Sequence, residues 1–128
     1  MDDTAKQIGK INWVDLTVPN ADEVKSFYEQ VAGWQPESFD MGGYNDYVMK
    51  PPNSNEGIAG ICNLRGSNTG FPSQWLIYIN VNDLNESLEA CIKLGGKIII
   101  EPKEMPGNGK YSVIQDPAGA VCALFEPI

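Results

Sequence analysis

Residues 11–34, INWVDLTVPNADEVKSFYEQVAGW, hold a strand, a corner, a helix and an exit in one run. From Ile11 to Val18 the chain alternates. Val14, Leu16 and Val18 fall on one face, and Trp13, Asp15 and Thr17 on the other, the two-residue period of a half-buried strand. Pro19-Asn20 stops it. Asn20 or Asp22 can cap the following helix, and Asp22 and Glu23 suit its positive end. Val24, Phe27, Tyr28 and Val31 recur at i, i+3, i+4 and i+7, which predicts one apolar stripe against the sheet. Gly33 stands where a C-cap glycine ends a helix.

A second run, LIYINVNDLNESLEACIKLGGK at 76–97, repeats the pattern. Trp13 maps to Leu76, Val18 to Val81, Val31 to Leu94 and Gly33 to Gly96, all at an offset of 63. Between the runs, strands are expected at 34–40, 44–50 and 57–64. After the second helix they are expected at 97–100, 110–115 and 120–125, with a loop at 102–109. Asp116-Pro117-Ala118-Gly119 fits a type I turn. Gly60–Leu64 lies over Ala120–Leu124 at an offset of 60. Each half therefore reads βαβββ, with modules at about 9–65 and 74–128 and a linker at 66–73 inside a single domain. Gly57, Ala59 and Gly60 predict close approach of another backbone, or strong curvature. By parity, Cys62 and Cys122 are expected on the helix-facing side.

Composition narrows the function classes. The chain has 128 residues and a net charge of -8, with no histidine. A field of that sign repels phosphate backbones, so no nucleic-acid partner is expected; it favours cationic ligands by steering. Lack of histidine removes His triads, His bases and His metal ligands. The three cysteines form no CxxC and each sits in an apolar pattern, the signature of free thiols in a reducing compartment. The opening MDDTAKQIG has no apolar core, and no apolar run reaches the length of a membrane span. A cytoplasmic protein with no membrane partner is the expectation.

WVDLTVPNADEVKSFYEQVAGW, the restart VNDLNESLEACIKLGGKI and the close MPGNGKYSVIQDPAGAVCALFEP together resemble the vicinal oxygen chelate superfamily. Its members include glyoxalase I, extradiol dioxygenases and bleomycin-resistance proteins. The likeness covers nearly the whole chain, and is nearest to small bacterial proteins loosely related to lactoylglutathione lyase. It implies an α+β fold in which two tandem βαβββ modules form a curved mixed β-sheet cup with helices outside. It also implies metal ligands, commonly His and Glu, at inward positions on the first and last strand of each module. Carried over, those positions are Trp13, Asn63, Leu76 and Ala123. None is a typical ligand, so no family-type metal and no cofactor are expected. Glu126 lies three residues past the family's glutamate position and is expected to be a solvated residue.

Ser26, Ser38 and Ser112 lack a histidine partner, so nucleophilic catalysis has no support. Gly107-Asn108-Gly109 precedes a strand and is turn chemistry rather than a phosphate loop. Asp15 is the carboxylate of interest. It can act as a base, bind a cationic ligand beside Trp13 and Tyr78, or be hydrogen-bonded as a plain structural group. Trp13, Asp15, Tyr47, Met49, Asn63, Leu76, Tyr78 and Phe125 are the candidate ligand-binding set; Asp15 is the catalytic candidate if there is one. The leading expectation is a homodimeric, metal-independent protein that holds an apolar or aromatic small molecule, cationic in one form. The alternatives are a lyase, isomerase or dioxygenase-related enzyme with atypical or no metal ligands, and an interaction module whose cup is filled.

Overall fold

The computed structural model describes residues 7–128. The elements are β1 (Ile11–Val18), α1 (Ala21–Ala32), β2 (Gln35–Asp40), β3 (Asn45–Lys50), β4 (Ala59–Asn63), a 3-10 turn (Gly66–Asn68), β5 (Trp75–Asn80), α2 (Leu84–Lys93), β6 (Lys97–Met105), β7 (Gly109–Gln115) and β8 (Val121–Pro127). The α+β class and the doubled βαβββ order are as the sequence predicts. The chain divides into two compact units. Trp13–Trp75 is one; Leu76–Ile128 with the residues up to Asn12 is the other. Within the latter, Gly9 and Lys10 exchange backbone hydrogen bonds with Asn80.

In the Trp13–Trp75 unit the strand order is β2-β3-β4-β1. β1 runs parallel to β4, and the other pairs are antiparallel. One sheet face packs on α1. Its core is Leu16, Val18, Ala21, Tyr47, Met49 and Ile61, with Val24, Tyr28, Trp34 and Trp75 against it. Met49 and Ile61 are 0 % exposed; each such side chain contributes about 1.5–3 kcal/mol by leaving water. Trp75 donates its indole N–H to the Tyr28 hydroxyl at 3.1 Å, so that polar edge is satisfied beside the core. The inward stripe of α1 is narrower than its pattern predicts. Phe27 and Val31 are 54 % and 65 % exposed. Ala21, Val24 and Tyr28 define the buried line, and Phe27 and Val31 are rotated off it. Gly33 ends the helix at φ 76°, a left-handed conformation that costs glycine little.

In the second unit the order is β5-β8-β7-β6, with β5 parallel to β8. Helix α2 packs Leu84 and Leu88 on Leu124, with Ile79, Val81, Ile98 and Ile114 around them. Strand β6 runs on to Met105, through the first half of the expected loop. It lies at the end of its strand order, and its register slips between Ile98 and Ile100 and between Ile100 and Lys103. An edge strand with such irregularities tolerates Pro102, which cannot donate to a ladder. Glu126 is not merely solvated: its Oε1 accepts the Leu84 backbone N–H at 2.7 Å. With Asp83, which accepts from the Glu86 N–H at 3.1 Å, it satisfies the first turn of α2.

Register corrects the repeat. Asp15 pairs with Gly60 and Tyr78 with Ala123; Leu16 pairs with Ile61 and Ile79 with Leu124. The last strands therefore match at the same offset of 63 as the first strands. Gly60, not Asn63, is the counterpart of Ala123, and Cys62 is the counterpart of Phe125.

Candidate functional site

The sheet face of the Trp13–Trp75 unit that turns away from α1 carries an open hollow of about 260 Å³. Its lining is Trp13, Asp15, Phe39, Asp46, Tyr47, Val48, Gly60 and Cys62. Cross-strand register explains why these meet. Val48 opposes Gly60 and Gly60 opposes Asp15, which makes one row; Phe39 opposes Asp46 and Cys62 opposes Thr17 in the next. Alternation then puts Trp13 beside Asp15 on the same face.

Trp13 donates its indole N–H to Asp15 Oδ1 at 2.8 Å. The carboxylate leans across Gly60, where an added Cβ would lie 2.1 Å from Oδ1. At Gly57 an added Cβ would lie 2.4 Å from Val48 Cγ1 and 3.6 Å from Trp13 Cη2. The small residues of this segment do mark close approach, but what approaches is side chains and not a backbone. The expectation is corrected on that point. Asp15 takes part in a further interaction besides this bond.

Cys62 stands in the hollow and not on the helix side, because β4 runs in the register set by Asp15 and Gly60. Burial pushes its thiol well above the usual range, and the Asp15 and Asp46 carboxylates add to that rise. A neutral thiol is a poor nucleophile. Asp46 is positioned by Asn63, whose backbone N–H and Nδ2 both donate to Asp46 Oδ1 at 2.9 Å. Asn63 Nδ2 also donates to the Asn45 carbonyl at 2.6 Å. Asn63 is therefore buried scaffolding for the carboxylate, and not an inward counterpart of Ala123. Lys50, on the same face as Asp46 and Val48, is bonded to Glu37.

The remaining candidates lie elsewhere. Met49 is enclosed in the core beneath α1. Tyr47 borders the hollow but sends its hydroxyl the other way, donating to Asp22 Oδ1 at 2.5 Å under the Lys25 ammonium. That hydrogen bond, then burial and the Asp22 charge, raise the phenol to about 12. Leu76, Tyr78 and Phe125 belong to the second unit, where they are 1 %, 7 % and 8 % exposed. The Tyr78 ring lies 6.1 Å from that of Tyr111. The alternation of β1 brought Trp13 and Asp15 into view. Phe39, Val48 and Cys62 carried no such signal, since their facing depends on which strands pair.

The positions where the resemblance implies metal ligands are, after the register correction, Trp13, Gly60, Leu76 and Ala123. An indole N–H already given to Asp15, a glycine and two aliphatic side chains offer a metal no lone pair, so this donor set does not fit one. Among the described residues, no three His, Cys, Asp or Glu side chains gather as an alternative set.

Comparison with known proteins agrees with the fold. The sequence profile of the Glyoxalase/Bleomycin resistance protein/Dioxygenase superfamily matches residues 10–124. The chain belongs to this superfamily. CFP32 of Mycobacterium tuberculosis, provisionally named a glyoxylase, is 29 % identical over 122 residues, covering 94 % of this chain and 45 % of that protein. The chain thus spans about half the length of the curated relatives it matches. Hypothetical protein BH1468 from Bacillus halodurans has the same fold, with a TM-score of 0.61 at 14 % identity over 94 % of this chain and 95 % of its own. The Mn(II)-bound glyoxalase from Novosphingobium aromaticivorans is similar at a TM-score of 0.55 and 20 % identity, over 93 % of this chain and 39 % of that one. In this superfamily member the hollow beside Trp13 has room for a small ligand.

Proposed function

We propose that this superfamily member is a metal-independent small-molecule binding protein that takes an apolar or aromatic ligand in the hollow beside Trp13. The observation that carries the reading is the hollow itself: about 260 Å³ with carbon-rich walls from Trp13, Phe39 and Val48 and a few polar groups, the usual make-up of a small-molecule site. The misfit of the donor set at the family's ligand positions supports the metal-independent part. A thermal-shift screen against small aromatic compounds tests it. Stabilising compounds are expected, and Trp13→Ala should abolish their effect while the variant remains folded by circular dichroism. Hits that persist in Trp13→Ala would move the site elsewhere. Stoichiometric zinc, nickel, iron or manganese in protein purified without chelator would overturn the metal-independent reading.

The same reading carries a cytoplasmic setting and a homodimer. Support for the first is that Cys62, Cys91 and Cys122 are free thiols. Among the described residues, no helix is long and apolar enough to cross a membrane. Support for the second is the exposed Phe27 and Val31 of α1. Sedimentation equilibrium showing a monomer at micromolar concentration would exclude the dimer.

A further inference from the structure

We infer that the hollow of the Trp13–Trp75 unit selects a small organic cation, a protonated or quaternary amine joined to a compact apolar group. This rests on the proposed reading of the hollow as a ligand site and adds the charge class. Three observations carry it. The two carboxyl groups in the lining are Asp15 and Asp46, and among the described residues no basic side chain lines the hollow. The carboxylates adjoin aromatic carbon: Trp13 is hydrogen-bonded to Asp15, and Phe39 opposes Asp46 across the β2–β3 ladder. An ammonium there meets negative charge and aromatic side chains together, the combination that recognises quaternary amines.

The third observation concerns Gly60. A side chain at that position would occupy the space where the Asp15 carboxylate lies, so glycine keeps this charge over the floor of the hollow. In the second unit the matching pair is Tyr78 and Ala123, and that charge is absent. Both carboxylates share the lining with the Cys62 thiol, which burial raises most and the two negative charges raise further. The volume admits roughly nine waters, enough for one ring with a small ammonium and little more.

Three probes of one shape separate the outcomes: phenyltrimethylammonium, its neutral carbon isostere tert-butylbenzene, and the anion benzenesulfonate. Each is titrated into the full chain while the tryptophan indole N–H resonances are followed. The cation is expected to bind about tenfold more tightly than the neutral isostere, and the sulfonate more weakly than either. The cation's advantage should shrink as salt rises from low to molar concentration. Asp46→Asn and Asp15→Asn should each lower cation affinity several-fold and affect tert-butylbenzene binding much less, so that the ratio of the two falls; asparagine in place of Asp15 can still accept the Trp13 indole N–H. Equal affinity for cation and neutral isostere, or preference for the sulfonate, overturns the charge assignment while leaving the hollow as a ligand site. Shifts from none of the three probes would instead sink the hollow as a site for ligands of this size.

Discussion

On the sheet faces turned away from their helices, the two modules place unlike residues at equivalent positions. Trp13, Asp15, Gly60 and Cys62 in one correspond to Leu76, Tyr78, Ala123 and Phe125 in the other. The second set is closed: Leu76 and Ala123 are 1 % and 0 % exposed, and Tyr78 and Phe125 are buried with them. The first set borders an open hollow and includes a carboxylate and a thiol. One backbone plan therefore serves two ends. Apolar side chains of sufficient volume make a packed face. A glycine, an acid and an indole at the matching places leave room and charge.

The sharpest way to break this comparison is to truncate matching positions. Phe125→Ala should cost about 3–5 kcal/mol in urea denaturation, the usual price of emptying an aromatic site in a packed face. Cys62→Ala, at the matching place in an open hollow, should cost less than about 1 kcal/mol. Equal costs would mean that the two faces are packed alike and that the hollow is not open in solution.

The next pair exchanges residues between modules. Gly60→Ala forces a methyl group against Asp15 Oδ1, at 2.1 Å before relaxation. The expected loss is about 1–3 kcal/mol from overpacking, with movement of the Asp15 carboxylate away from Trp13. Ala123→Gly removes a methyl from a fully buried position and should cost about 1 kcal/mol. Loss of the Trp13 indole N–H chemical shift in Gly60→Ala, but not in Ala123→Gly, would tie the first effect to the Trp13–Asp15 bond. An unchanged spectrum in Gly60→Ala would show that the carboxylate does not depend on this glycine.

The order of elements was legible because periodicity and punctuation agree with each other. The two-residue alternation of 11–18, the helical stripe after Asn20 and the glycine exit point to the same unit, and its repetition at 76–97 confirms it. The register of the last strands was not legible. GICNL over AVCAL is a letter match that places two cysteines together, yet Cys62 faces the hollow while Cys122, two residues before Leu124, shares the helix-facing side of that leucine and lies opposite in facing to Phe125. The cause is physical. Facing is fixed by which residues pair across strands, and insertions hide it: residues 51–58 join β3 to β4, whereas a tight turn from Asp116 to Ala120 joins β7 to β8. Trp13 and Asp15 could be assigned from their own strand alone. Phe39, Val48 and Cys62 needed their neighbours. The core role of Tyr47 and Met49 was missed for the same reason, since nothing in β3 alone says which face meets α1.

The modules also differ in how each sheet is tied to the start of its helix, and pH separates the two ties. In the second unit Glu126 on β8 accepts the Leu84 N–H. In the first, Tyr47 on β3 donates to Asp22 of α1, and this tie exists only while the phenol keeps its proton. The folded phenol is raised from 10.0 to about 12, so between those values the folded chain holds a proton that the unfolded chain has released. Stability from this group is fully present below pH 10 and is lost as pH rises towards about 12. The size is on the order of 1–2 kcal/mol, because Asp22 is exposed and solvent weakens the pairing. Tyr47→Phe should lose about 1 kcal/mol near neutral pH and show a shallower alkaline decline than the parent chain. Urea midpoints measured from pH 8 to 12 on both proteins decide the matter: parallel curves would show that the Tyr47–Asp22 bond is not what distinguishes the first module at high pH.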